Sequence, residues 1–181
     1  MKFIKKLMAF VLVIMVIFGV VMGVYTLYPL KYTEYIRTVS EETGIDKYLI
    51  ASIIRAESNY DEKALSNAGA KGLMQLTDET AAFCAEKMGI ELNDGDVFNP
   101  EINIRLGVYY YKRVLELFDY DETLAIAAYN AGEGRVRAWL SNESYSSDGK
   151  TLDVIPSKET ENHIKKIENY QKIYKFLYPN L

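Results

Sequence analysis

"YLIASIIRAESNY", Tyr48 to Tyr60, is the stretch on which the reading of this chain turns. Leu49, Ile50, Ile53 and Ile54 recur at the spacing of one helix face, and the i, i+4 ladder from Leu49 through Ile53 lands next on Glu57. A carboxylate on the core-facing side of a helix is stripped of water, and near a helix C-terminus it meets the partial negative charge of unpaired carbonyls. Both effects favour the protonated form that a general acid needs. Periodicity alone leaves a second reading open, in which Glu57 lies just past the buried stripe, solvated or paired with Arg55 or Lys63.

Outward from this stretch the pattern is helical, with Gly and Pro as punctuation. "PLKYTEYIRTVSEETG" reads as a helix stopped by Gly44, and Asp46 is the expected N-cap of the helix that carries Glu57. "NYDEKALSNAGAKGLMQL" then loses the period at Gly69 and Gly72 and reads as a loop with a short extended piece at residues 72–76, leaving the domain room for a small β-hairpin. Thr77 should cap a helix running to Met88 and ended by Gly89, and Asn99 with Pro100 should open another over residues 101–118. "DETLAIAAYNAG" is a further helix ending at Gly132, and "EGRVRAWL" a short one. After the polar loop "SNESYSSDGKTLD", the stretch "PSKETENHIKKIENYQKIYKFLYP" closes the chain as a long helix.

The first thirty residues are of another kind. From Leu7 to Leu30 no side chain is charged, and at about 1.5 Å rise per residue such a run spans the roughly 30 Å hydrocarbon layer. A secretory signal is the competing reading, but its apolar region is typically about 7–15 residues and ends at a small-x-small site. "VVMGVYTLYP" offers no such site, and no Cys follows to carry a lipid. The expectation is residues 1–30 as an uncleaved transmembrane anchor and residues 31–181 as one mainly α globular domain on a very short linker, with cleavage after export as the alternative. Lys2, Lys5 and Lys6 ahead of the run favour a cytoplasmic N-terminus and an extracytoplasmic domain at the cell membrane.

Composition excludes several kinds of function. Setting aside those three lysines leaves the remainder three charges more negative than the net −4 of all 181 residues. An acidic domain is a poor partner for nucleic acid, whose phosphates need Lys and Arg. The lone Cys84 makes no internal disulfide, and the lone His163 rules out two-His metal sites and Cys/His clusters.

Five pieces of the chain resemble, in order, the catalytic domain of the soluble lytic transglycosylases, relatives of goose-type lysozyme in the lysozyme-like superfamily. They are "ESNY" at Glu57, "SNAGAKGLMQLT" from Ser66, "NIRLGVYYY" from Asn103, "AAYNAG" from Ala127 and "IPSKETENHIKKI" from Ile155. Each is weak alone, and the series with compatible spacing is strong. The resemblance implies a lysozyme-like α domain that cleaves peptidoglycan glycan strands, with Glu57 as catalytic acid and then base. It also implies that Ser66 and Gln75 line the cleft and bind the glycan with Met74 packed beside them, that Tyr129 and Asn130 face Glu57 with the tyrosine hydroxyl near the reacting sugar, and that Glu159 helps fix a cleft wall; Met74 reads equally as a packing residue or a substrate contact. No cofactor and no metal is implied.

In the mechanism this resemblance implies, one carboxylate suffices, because the sugar's own N-acetyl group stabilises the charged intermediate. Two departures stand out. Thr77 occupies a position where many members have Met, and His163 one where Tyr is usual, so subsite preference is the property in doubt. The rivals are a hydrolytic muramidase in the same cleft, and a weakly active glycan-binding component of an envelope-spanning apparatus.

Several residues carry plainer expectations. Tyr109, Tyr110 and Tyr111 point three ways on a helix, so at most one should meet substrate. Asp61 and Glu62, a conceivable second carboxylate, read as a solvated loop. Cys84 reads as buried packing, and His163, among Glu161, Lys165 and Lys166, as a surface residue.

Overall fold

The computed structural model describes residues 2–181, which divide into two compact units at Lys31 and Tyr32. In the first, α1 (Lys2–Leu27) carries exposed apolar side chains such as Phe3, Phe10, Val16 and Phe18, and is long and apolar enough to cross a membrane. Nothing else in the chain has that character among the described residues.

The second unit is helical. It comprises α2 (Thr33–Thr43), α3 (Lys47–Ser58), α4 (Asp78–Met88), α5 (Pro100–Leu117), α6 (Glu122–Ala131), α7 (Glu133–Leu140) and α8 (Lys158–Leu177), with a single 3-10 turn at Asp96–Phe98. The caps fall where local chemistry puts them. Asp46 accepts the Tyr48 N–H at 2.9 Å, Thr77 accepts from Thr80, and Asn99 accepts from Glu101 and Ile102 ahead of a first-turn proline. Gly44 and Gly89 close α2 and α4 in left-handed backbone, as C-terminal glycines do.

At the centre lies α3. Leu49, Ile50, Ala51, Ser52, Ile53 and Ile54 are all buried, because α2 covers one side of the helix and α8 another. Each apolar side chain so enclosed contributes on the order of 1.5–3 kcal/mol. The helix ends abruptly, since Asn59 and Tyr60 both adopt left-handed backbone, with φ of 55° and 63°. Tyr60 offsets that cost by burial. Its hydroxyl donates to the Ala51 carbonyl at 3.1 Å, and its ring meets Tyr32 and Tyr174.

Neither an extended strand at residues 72–76 nor a small hairpin forms among the described residues. Only isolated bridges, Leu65 to Lys71 and Lys71 to Leu76, occur among the described residues. Left-handed backbone at Gly69, Gly72 and Gln75 bends the segment too often for a ladder to extend. Its polar groups are satisfied instead by a side chain from α5, described next.

Candidate active site

The loop after α3 has few apolar residues of its own, so its shape must be imposed from outside. Asn103, fully buried on α5, supplies that shape. Its Oδ1 accepts the Met74 N–H at 2.7 Å, while its Nδ2 donates to the carbonyls of Lys71 at 3.1 Å and Val97 at 2.8 Å. A Cβ on Gly72 would stand 2.4 Å from Asn103 Nδ2, and one on Gly107 would stand 2.5 Å from Met74 Sδ. Two glycines therefore allow the loop and α5 to close on each other. Gln75, left-handed at φ 48°, is held by donating from Nε2 to the carbonyls of Gly72 and Ala64 at 3.0 and 3.3 Å.

A cleft of about 510 Å³ opens between this loop, the end of α3, α6 and the start of α8. Glu57, Ser66, Gln75, Tyr129, Asn130 and Glu159 all line it. Six of the seven residues singled out from the sequence are thus brought to one cavity. Met74 is the exception. It is fully buried, with its side chain packed toward Gly107 and its carbonyl accepting from the Tyr129 hydroxyl. A second cleft of about 470 Å³, beside Phe118, Arg137 and Lys150, contains none of these residues.

Glu57 occupies the last turn of α3 with 15% of its side chain exposed. The apolar stripe lies behind it and the cleft in front. Across the cavity Tyr129 packs with Tyr110 at 5.5 Å between ring centres, over the cluster of Leu76, Ala81, Cys84, Ala85 and Leu106. Burial, and then the charge of Glu57, hold the Tyr129 phenol well above its ordinary value. It stays protonated and donates to the Met74 carbonyl at 2.7 Å. Of the three consecutive tyrosines, Tyr110 alone lines the cleft, and Tyr111 is fully buried. Ser66 makes the turn of its own loop, where its Oγ accepts the Ala70 N–H at 3.0 Å.

Helix α8 braces both walls. Thr160 donates to Asn130 Oδ1 at 2.9 Å, and Lys166 donates to the Ala56 carbonyl at 2.9 Å, one residue before Glu57. Between them His163 departs from the sequence expectation. It is no surface residue: its side chain is 11% exposed, and its Nε2 lies 3.2 Å from Glu57 Oε1. The charged neighbours Glu161 and Lys165 pair with each other on the solvent side of α8, while position 163 turns inward against α3. Asp61 and Glu62 lie outside the cleft. Asp61 is exposed, and Glu62 accepts from the Tyr32 hydroxyl at 2.8 Å.

No local pattern in the sequence marks out Thr160 or Lys166, and for Asn103 and Gly107 the signal is present only in part. "NIRLG" pairs an Asn with a Gly four residues on, an unusual polar and small face for a helix that is otherwise apolar inward.

Comparison with known proteins places this arrangement. The family model described as "Transglycosylase SLT domain" matches residues 34–152. The soluble lytic murein transglycosylase of Escherichia coli is 32% identical over 152 residues, covering 82% of this chain and 24% of that protein. Membrane-bound lytic murein transglycosylase F of Desulfosudis oleivorans is 38% identical over 120 residues, covering 63% of this chain and 24% of that one. The lytic transglycosylase Slt of Pseudomonas aeruginosa, solved as an inactive glutamate-to-glutamine mutant, superposes with a TM-score of 0.74 at 34% identity over 82% of this chain and 24% of its own. The chain spans about a quarter of the length of these relatives. Since the matched model runs from α2 to beyond α7, and the helices fold as in a solved relative at this identity, the chain belongs to the transglycosylase SLT domain family.

Proposed function

We propose that this chain is a lytic transglycosylase that cleaves the β-1,4 bond between N-acetylmuramic acid and N-acetylglucosamine in peptidoglycan. The observation that carries the reading is Glu57 at the junction of a buried helix face and a polar cleft, with Gln75, Tyr129 and Asn130 on the walls around it.

The steps follow from that placement. Protonated Glu57 gives its proton to the glycosidic oxygen as the bond from C1 of the muramic acid breaks. The N-acetyl oxygen of the same sugar stabilises the positive charge at C1, so no second protein carboxylate is required, as in other substrate-assisted cases. Ionised Glu57 then takes the proton of the C6 hydroxyl while that oxygen bonds to C1. The product is a 1,6-anhydro sugar, Glu57 is protonated again, and no water is consumed. Glu57 lies at the edge of the cleft with the apolar stripe of α3 behind it, within reach of a bound sugar for both proton transfers. Gln75 and Asn130 offer amides at fixed positions to sugar hydroxyls and acetamido groups, and Ser66 and Glu159 complete the rim.

One observation favours a second reading. Glu159 also lines the cleft and is exposed, so the cavity holds a second carboxylate besides Glu57, the kind of group a hydrolase uses to activate water. The products decide. Purified peptidoglycan digested by the full chain in detergent should release muropeptides lighter by one water than hydrolysed ones. Recovery of reducing-end sugars alone would assign hydrolysis.

The apolar α1 and the membrane-bound relative point to membrane association. We place the basic end of α1 in the cytoplasm and the catalytic unit outside, where glycan strands are found.

A further inference from the structure

The geometry points to His163 as a positioning residue for Glu57, one that determines which carboxyl oxygen faces the sugar. This inference rests on the transglycosylase reading above. His163 is the single histidine of the chain, and its Nε2 is buried, 3.2 Å from Glu57 Oε1, with no hydrogen bond to any other group. The ring N–H is not aligned on the oxygen as it stands. Contacts of this kind in unliganded sites tighten when substrate arrives.

A buried imidazole nitrogen without a partner is costly, and Glu57 is the polar group within reach. The two residues are held at this separation from both sides. Lys166, three residues after His163, ties α8 to the Ala56 carbonyl, and Thr160, three residues before it, ties α8 to Asn130 on the opposite wall. The approach of His163 to Glu57 is therefore built by the helix pairing and is not a chance rotamer of a mobile surface side chain.

The consequence is chemical. Once aligned on Oε1, the N–H donor makes that oxygen the acceptor of the carboxyl group and leaves Oε2 to carry the acidic proton toward the sugar. After proton transfer the same donor stabilises the new carboxylate without moving. Orientation of this kind acts on the reacting geometry and not on the sugar's ground-state contacts, so its loss appears in kcat more than in KM.

Two measurements test this. In turnover of peptidoglycan by the full chain, His163→Phe should lower kcat by about 10²-fold with KM little changed. His163→Tyr and His163→Gln, which restore a donor at that position, should each recover at least about tenfold of that loss, a rescue that a purely structural role would not give. Equal rates for the Phe and Tyr variants, or a Phe variant within about twofold of wild type, would overturn the proposal. The second readout needs no turnover. Because the chain holds one histidine, its ring ¹⁵N signals need no assignment, and the Nε2 signal should move on Glu57→Gln while Nδ1 stays. An unmoved Nε2 signal would also overturn the proposal. A wild-type protein that makes no anhydro product would instead remove the transglycosylase reading, leaving the spectroscopic result to decide the contact.

Discussion

The hydroxyl of Tyr129 donates to the main-chain carbonyl of Met74 at 2.7 Å, tying α6 to the glycine-rich loop across the floor of the cleft. Both ends of the bond are enclosed: Met74 is fully buried, and the phenol is held in its protonated form. Tyr129→Phe leaves that carbonyl without a partner in a dry site, which should cost about 1–3 kcal/mol. Denaturant unfolding checks this, and a variant as stable as wild type would show that the bond contributes nothing.

The buried Asn103 makes three hydrogen bonds that the loop cannot replace. Asn103→Leu should destabilise the fold by about 3 kcal/mol and reduce turnover further, because Gln75 rides on the same loop. Gly107→Ala tests the same interface by crowding, with its new Cβ 2.8 Å from Met74 Cβ. The expected loss is about 1–3 kcal/mol. Full stability and activity in both variants would mean that the loop holds its shape unaided.

Arg113 and Glu133 give a pH-dependent contribution whose sign can be worked out. Hydrogen bonding from Arg113 holds the Glu133 carboxyl below its ordinary value of 4.5. With the folded value below the unfolded one, the contribution is complete above about pH 4.5 and is lost as pH falls through the folded value. Each side chain is 34% exposed, so solvent screening limits the pair to about 0.5 kcal/mol. Glu133→Gln should lower Tm slightly near neutral pH, and the gap should close in acid. A constant gap at all pH values would contradict the assignment.

Cys84 is fully buried, and that burial pushes its thiol up to about 11, with Arg113 pulling weakly the other way. Thiol reagents should label the native protein only as fast as the cluster around Leu76 and Leu106 opens, and completely in denaturant. Immediate labelling of the native protein would show that α4 is not packed as described.

What could be read in advance divides along the range of the interactions. Asp46, Thr77 and Asn99 cap helices through bonds to residues two or three away, so local sequence announces them. Periodicity leaves the role of Glu57 open, but its place at the end of the buried stripe is legible, because a period of 3.6 makes a break visible. His163 was not, since Glu161, Lys165 and Lys166 make its surroundings look solvated, and only the long-range packing of α8 on α3 turns it inward. Met74 is ambiguous for the converse reason. An apolar side chain in a glycine-rich loop gives no sign of whether it faces sugar or core, and here Gly107 leaves it a place in the core. The missing hairpin is a further case, because Asn103, distant in sequence, satisfies the backbone groups that a strand partner would have taken.

The most direct test compares the full chain with Glu57→Gln on purified peptidoglycan, scoring anhydro-muropeptides by mass and folding by thermal unfolding. The substitution should reduce release by about 10²–10⁴-fold, the range of a positioned acid and base, while the cooperative unfolding transition is retained. Equal release by the two folded proteins would contradict this, because the proton would then come from another group.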